Sequence, residues 1–393
     1  MKKSKKTIKK SKKAKKKIKK LLIITGEKSG ELLAVDVVRE LKKLDSYEFI
    51  GTGGELLEKE GMRIIEHIQN MEVIGIIEAL KAYSFLKKLL KKILSIIKEE
   101  NIQYVLLVDY PGFNLRLAKE LKKINSQIKI FYFVSPQIWA WNYKRIKLIK
   151  KVVDKMYVLF EFEKEIYEKE NVPVKWVGHP IKFRIPKELR KQPILQLKHK
   201  PVIGILPGSR YSEVSQLLIP MLEAAKKIQS QYPDAIFLIP SPSDSGKVFD
   251  YINQTISLYK DLNLKVLPAM SLRVMQSSDL LIIASGTATL EAAFFKKPMI
   301  ICYKVGWLNY FIISLLIKTR YIGLPNLLAK EQVAIELLQN EVHPDNIYNE
   351  AIKILQDSTY RNKIVKLLKE IPLVPENKNP AKIVADDLYK LIK

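Results

Sequence analysis

Short apolar runs alternate with longer amphipathic stretches along this chain, and glycine, serine or proline stands at nearly every junction between them. Leu21–Thr25 runs into GEKSGE and a helical pattern that lasts to about Leu44, and Tyr47–Ile50 runs into GTGG and another helical stretch. Tyr104–Val108 leads to DYPGFN and a helix near 115–124, and Ile128–Val134 leads to SPQIWAW. A second series follows: Val202–Leu206, then PGSR and a helix over 213–230; Ala235–Pro240; Leu264–Pro268; Asp279–Ala284, then SGTAT and a helix; Met299–Lys304. Runs this short and continuous, without polar alternation, predict strands covered on both faces, hence parallel sheets with helices on either side.

The predicted class is α/β: two Rossmann-like domains facing across a cleft. The first spans 21–185 and the second 200–345. Between them, residues 180–200 are rich in proline and charge and have no period, as a linker would be. Helices near 345–370 and 380–392 fill a C-terminal part, 346–393, which the pattern does not place. In open α/β sheets ligands bind outside the carboxyl ends of the strands, where strand order reverses, so the loops carry the chemistry.

The loop glycines do not make a dinucleotide fingerprint. Gly51 and Gly53 of GTGGELL are followed by Leu56 where a third glycine is required, and no GxxxxGK[ST] loop occurs. Two junctions in the second half suit phosphate instead. One is Gly208-Ser209-Arg210, where a guanidinium can pair with phosphate oxygens through two bonds. The other is Ser285-Gly286-Thr287-Ala288-Thr289, small residues and hydroxyls between a strand and a helix, where a phosphate can approach free backbone N–H groups. Each has a plainer reading, as a surface charge after a turn and as an ordinary helix cap. Glu291, one turn further on, suits a ribose diol or simply favours a helix N-terminus.

The chain has 393 residues, is 47% hydrophobic and carries a net charge of +27. Thirteen lysines lie in residues 1–20, which leaves +14 on the rest. That tail reads as a disordered, solvated arm, a nucleic-acid arm or a contact for anionic lipid. It has no aromatic residue for base stacking, so no nucleic-acid partner is expected. The longest strongly apolar stretch, WLNYFIISLLI over 307–317, is too short to span a bilayer, and the tail lacks a secretory core. Residues 73–98 mix apolar residues with paired lysines at helical spacing, as in a helix lying on anionic lipid or one facing a core. The single cysteine, Cys302, excludes an internal disulfide, and the four histidines lack zinc-ligand spacing, so neither a metal nor a cofactor is expected.

Taken together, GEKSGELLA, GTGGELLEKEGM, VIGIIEAL, VDYPGFNLRLAKELK, FVSPQIWAW, VKWVGHP, LPGSRYSEV, SGTATLEAA and GLPNLLAKE resemble the lipid-A-disaccharide synthases, inverting glycosyltransferases of the GT-B type, in family order from about residue 20 onward. The resemblance implies transfer of 2,3-diacylglucosamine from UDP to 2,3-diacylglucosamine 1-phosphate (lipid X), giving a β(1→6) disaccharide for lipid A and lipopolysaccharide. It implies that Arg210 and the SGTAT junction hold the diphosphate, that Glu291 faces the ribose, and that Asp109 is the general base taking the proton of the attacking hydroxyl. The plainer reading of Asp109 is a helix cap. On the acceptor side or in the cleft the resemblance places Glu27, Ser29, Gly30, Glu31, Asn114 and Asn326. It also implies a cytoplasmic enzyme peripheral on the inner-membrane surface, with anionic lipids as partners and room for a homodimer. Three positions depart from the family pattern: Glu31 and Gly112 stand where aspartate is usual, and Lys330 where an arginine is common.

Overall fold

The computed structural model describes residues 18–71, 76–140, 142–190, 201–304, 320–375 and 378–392, with the backbone alone for 76–82. The expectations for residues 1–17, for the apolar stretch 307–317 and for the linker positions 191–200 lie outside the described residues.

Among the described residues the apolar runs form two parallel sheets. The first has seven strands: β1 Lys19–Ile24, β2 Tyr47–Gly53, β3 Arg63–His67, β4 Tyr104–Val108, β5 Lys129–Phe133, β6 Lys155–Val158 and β7 Val174–Trp176, in the order β3-β2-β1-β4-β5-β6-β7. The second has six: β8 Val202–Leu206, β9 Ile236–Ser241, β10 Leu264–Pro268, β11 Leu280–Ala284, β12 Met299–Tyr303 and β13 Ile335–Leu338, in the order β10-β9-β8-β11-β12-β13. Both orders start in the middle, run to one edge, and return to continue on the other side. Each sheet therefore reverses once, between β1 and β4 and between β8 and β11, which makes each a doubly wound sheet with one switch point.

The central strands are apolar on both faces because helices cover both. Leu21 through Ile24, Val105 through Val108 and Leu280 through Ile283 have no accessible surface. Helix Lys28–Leu44 buries Leu33, Ala34, Val37, Val38 and Leu41, one face of a 3.6-residue period. Each buried aliphatic side chain stabilises the fold by roughly 1.5–3 kcal/mol, so these faces fix the helices on the sheet.

The chain divides into two compact units. The first holds residues up to Val134, Val152–Lys155 and the segment from Ala381 onward; the second holds Ser135–Lys151 and Met156–Pro380. The last helix, Pro380–Leu391, reaches the first unit: Lys19 Nζ donates to the Ile392 carbonyl at 2.9 Å and stands over the Tyr389 ring.

Several boundaries differ from the sequence expectation, each for a local reason. β1 starts at Lys19, inside the expected tail, because Lys19 and Lys20 pair with Tyr47 and Glu48. The helix expected near 115–124 begins at Pro111, whose fixed φ and missing N–H suit a first helical position. The helix expected over 345–370 is broken at Asp357, whose side chain accepts the Tyr360 N–H at 2.9 Å and caps a new helix, Ser358–Glu370. Residues 76–99 form one helix, but Leu89, Leu90, Ile93 and Ile97 are buried. The apolar face of its second half therefore belongs to the core, not to a lipid surface.

Candidate active site

In the first unit, the loops after β1 and β4 flank the switch point. The β4 loop is held in an unusual shape: Asp109 (φ 51°) and Tyr110 (φ 48°) are both left-handed. Two successive non-glycine residues there cost about 1–2 kcal/mol each, and specific bonds offset the strain. Asp109 N–H donates to the Phe133 carbonyl at 2.9 Å, while the Asp109 carbonyl accepts from Tyr132 Oη at 2.8 Å and Asn114 Nδ2 at 2.7 Å. Tyr110 Oη donates to the Met71 carbonyl, and its ring lies on Gly26, where an added Cβ would fall 2.2 Å from the ring. Asn114 is fully buried, so it acts as a clamp on this loop. Strained backbone over-determined by its surroundings is typical of functional loops.

The result is a half-buried Asp109 carboxylate. Burial pushes its pKa above the ordinary aspartate value, the Tyr110 N–H works against that, and the Glu27 charge adds to the rise. No N–H of the first turn of helix Pro111–Ile124 donates to it, and the cap position is Tyr110, without a side-chain cap. The helix-cap role is thus left without a bond. Glu27 and Ser29 are exposed at the start of helix Lys28–Leu44, and Gly30 is buried against Val108. Gly112 faces open space.

Glu31 is another matter. It is fully buried, and its Oε1 accepts from the N–H groups of Gly54, Leu56 and Leu57 at 2.9, 2.9 and 3.2 Å, capping helix Glu55–Lys59. Its other oxygen lies 3.3 Å from Lys28 Nζ. The carboxylate expected on the acceptor side is a structural tie between two helices.

In the second unit, the loops after β8 and β11 flank the switch point and share one cavity of about 570 Å³. Gly208, Ser209, Arg210, Ser285, Gly286, Thr287, Ala288 and Glu291 line it, so the two junctions chosen from the sequence do meet. The N–H groups of Gly286 and Thr287 have no partner among the described residues. Glu291 is half-buried, its carboxylate has no hydrogen-bond partner among the described residues, and burial raises its pKa. Among the described residues, Arg210 is the single cation of the lining.

Two further residues of the expected site, Thr289 from the donor set and Asn326 from the acceptor or cleft set, are turned inward. Thr289 is fully buried, and its hydroxyl donates back to the Gly286 carbonyl at 2.7 Å, closing the turn rather than facing the cavity. Asn326 is also fully buried: Nδ2 donates to the Ala334 carbonyl and to Glu336, and Oδ1 accepts from the N–H groups of Val333 and Ala334. With every donor and acceptor used, it fixes the GLPN turn. Lys330 ends the short helix Leu324–Ala329 in a left-handed conformation and pairs with Glu165 at 3.2 Å. The sequence reading missed other walls of the cavity, among them Pro240–Pro242 at the carboxyl end of β9 and Ala269, Ser271 and Met275 after β10. Their signal was positional, since both groups stand at or just past the carboxyl ends of strands on one side of β8.

The profile of the lipid-A-disaccharide synthetase family matches residues 21–381. Lipid-A-disaccharide synthase of Coxiella burnetii (strain CbuG_Q212) is 36% identical over 377 residues, 95% of this chain and 98% of the relative. That of Trichlorobacter lovleyi is 35% identical over 362 residues, 90% and 92% of the two chains. This chain belongs to the lipid-A-disaccharide synthetase family. Among solved structures, a glycosyltransferase from Rickettsia africae (TM-score 0.54, 15% identity, covering 96% and 99%) and the UDP-GlcNAc 2-epimerase of Neisseria meningitidis (0.60, 14%, 94% and 100%) share the two-domain fold. By its family this chain is a glycosyltransferase that uses a UDP-sugar donor in lipid A biosynthesis, and its fold is of the GT-B type.

Proposed function

We propose that the cavity between the β8 and β11 loops holds the UDP of UDP-2,3-diacylglucosamine, and that Asp109 is the base that activates the 6-hydroxyl of 2,3-diacylglucosamine 1-phosphate. The observation that carries the donor half is Glu291: a half-buried carboxylate facing a cavity without a donor is costly, and a ribose diol supplies two hydroxyls. The Gly286 and Thr287 N–H groups and Arg210 suit a diphosphate. Pro240, Pro242, Ala269 and Met275 suit the flat face of a base. Attack of the hydroxyl on the anomeric carbon, with departure of UDP from the other face, inverts that carbon and gives the β(1→6) link. Asp109 takes the proton as the bond forms, and fixed donors stabilise the charge that develops on the leaving diphosphate. Calorimetric titration of the chain with UDP tests the donor half: one site per chain supports it, and no binding heat contradicts it.

The diacylated substrates call for contact with a membrane. No helix among the described residues is long and apolar enough to cross one, and the lysine-rich residues 1–20 suit the anionic cytoplasmic face of the inner membrane. The chain is expected to sediment with phosphatidylglycerol vesicles and to release as salt rises, because such attraction is screened within about 8 Å at physiological ionic strength. Deleting residues 2–17 should remove most of the binding, since the second half of helix 76–99 turns its apolar face to the core. Salt-insensitive binding that survives the deletion would contradict the assignment.

A further inference from the structure

The donor cavity carries two carboxylates, and ribose recognition uses only one of them. The second is Glu213, three residues after Arg210 in helix Tyr211–Gln231. Its Oε2 accepts from the N–H groups of Ser209 and Arg210, at 3.2 and 3.4 Å, and its Oε1 accepts from Arg210 Nη1 at 3.0 Å. Gly208 makes room for this: its φ is 119°, and a Cβ there would lie 2.5 Å from Glu213 Oε2. The N–H groups of Ser209 and Arg210, which the loop would otherwise offer to an anion, are therefore already engaged. The guanidinium, whose side chain is 79% exposed, is tied at one corner, while its Nε and Nη2 have no partner among the described residues.

Resting on the donor site assigned above, we propose that Glu213 is a positioning residue: it holds Arg210 so that the free edge of the guanidinium meets the diphosphate, while the backbone contacts to phosphate come from Gly286 and Thr287 rather than from Ser209 and Arg210. An exposed arginine without such a tie samples many rotamers and loses that freedom when it binds. A carboxylate this near a diphosphate also repels it, but that repulsion acts whether or not Arg210 is present. The positioning effect exists only through Arg210. The two separate in a double-mutant cycle.

The experiment measures UDP dissociation constants by calorimetry for the wild type, Arg210→Ala, Glu213→Gln and the double variant, with thermal unfolding of each. Glutamine retains an oxygen for the backbone N–H groups, so the cap persists. In the wild-type background Arg210→Ala should weaken UDP at least about tenfold, the worth of one charge-assisted hydrogen bond. In the Glu213→Gln background the same change should cost no more than about threefold, because an untethered arginine contributes less. Glu213→Asp, which keeps the charge but withdraws it by one methylene, should behave like Glu213→Gln, and both should raise the donor KM with kcat near wild type. An equal factor in both backgrounds would overturn the proposal and reduce Glu213 to a helix cap. If Arg210→Ala leaves UDP binding intact in the wild type, Arg210 is outside the donor site and the proposal falls with that assignment. If the wild type binds no UDP at all, the functional reading itself fails.

Discussion

Asp109→Asn should lower turnover by about 10²–10⁴-fold, the usual contribution of a general base, while leaving UDP affinity within about twofold of wild type. The asparagine variant is the informative one because of the backbone. Asp109 sits at φ 51° and is followed by Tyr110 at 48°, and asparagine tolerates the left-handed region where alanine is strained. The substitution would also keep the bonds that hold the loop, since Tyr132 and Asn114 reach the backbone carbonyl of Asp109 and not its carboxylate. Any loss therefore reports the missing proton acceptor. The pH profile gives a second handle. Burial, with the Glu27 charge added, holds the Asp109 pKa above its ordinary value. A base works ionised, so kcat/KM should fall as pH drops through that raised pKa, at a midpoint above the ordinary aspartate value of about 3.9. Near-normal turnover in a folded Asp109→Asn enzyme would remove it as the base, and Glu27, exposed on the neighbouring loop, would be examined next. Glu31 would not, because its carboxylate is committed to three N–H groups.

Arg210→Ala should cost about 1.5–3 kcal/mol in UDP binding, the range for a hydrogen bond to a charged group, which is roughly 10–150-fold in Kd. The guanidinium is the single cation lining the donor cavity among the described residues, so no neighbouring side chain there replaces it. Stability should change little, because Arg210 is exposed and its ion pair with Glu213 is a surface pair worth about 0–1 kcal/mol. Arg210→Lys should recover only part of the affinity, because lysine restores the charge but not the planar fork. Calorimetry showing equal affinity for wild type and Arg210→Ala would take this residue out of the donor site.

The fold was largely legible because parallel strands covered on both faces must be apolar throughout, and such runs stand out. β4, β8 and β10 begin and end where the hydrophobic runs do. Sequence could not show side-chain direction. Ser285, Glu291, Thr289, Glu31 and Asn326 are all polar residues in or beside loops, and in the sequence they look alike. Three of them turn inward: Thr289 to its own turn, Asn326 across to Val333–Glu336, and Glu31 across 23 residues to Gly54. Such bonds depend on how distant segments pack, which no local pattern records. Glu213 was readable in principle, since a glutamate three residues after a helix cap is a capping-box signal. The same limit applied to residues 73–98, where lysines interleaved with apolar residues fit a lipid surface and a core equally well; burial of Leu89, Leu90, Ile93 and Ile97 assigns the second half to the core.

The central claim is that this chain joins two diacylated glucosamines. It is tested most directly by incubating it with UDP-2,3-diacylglucosamine and 2,3-diacylglucosamine 1-phosphate and analysing the products by mass spectrometry and NMR. The expected result is one UDP released per disaccharide 1-phosphate formed, with a β(1→6) linkage that shows inversion at the anomeric carbon. Release of UDP without a disaccharide, or an α-linked product, would contradict it.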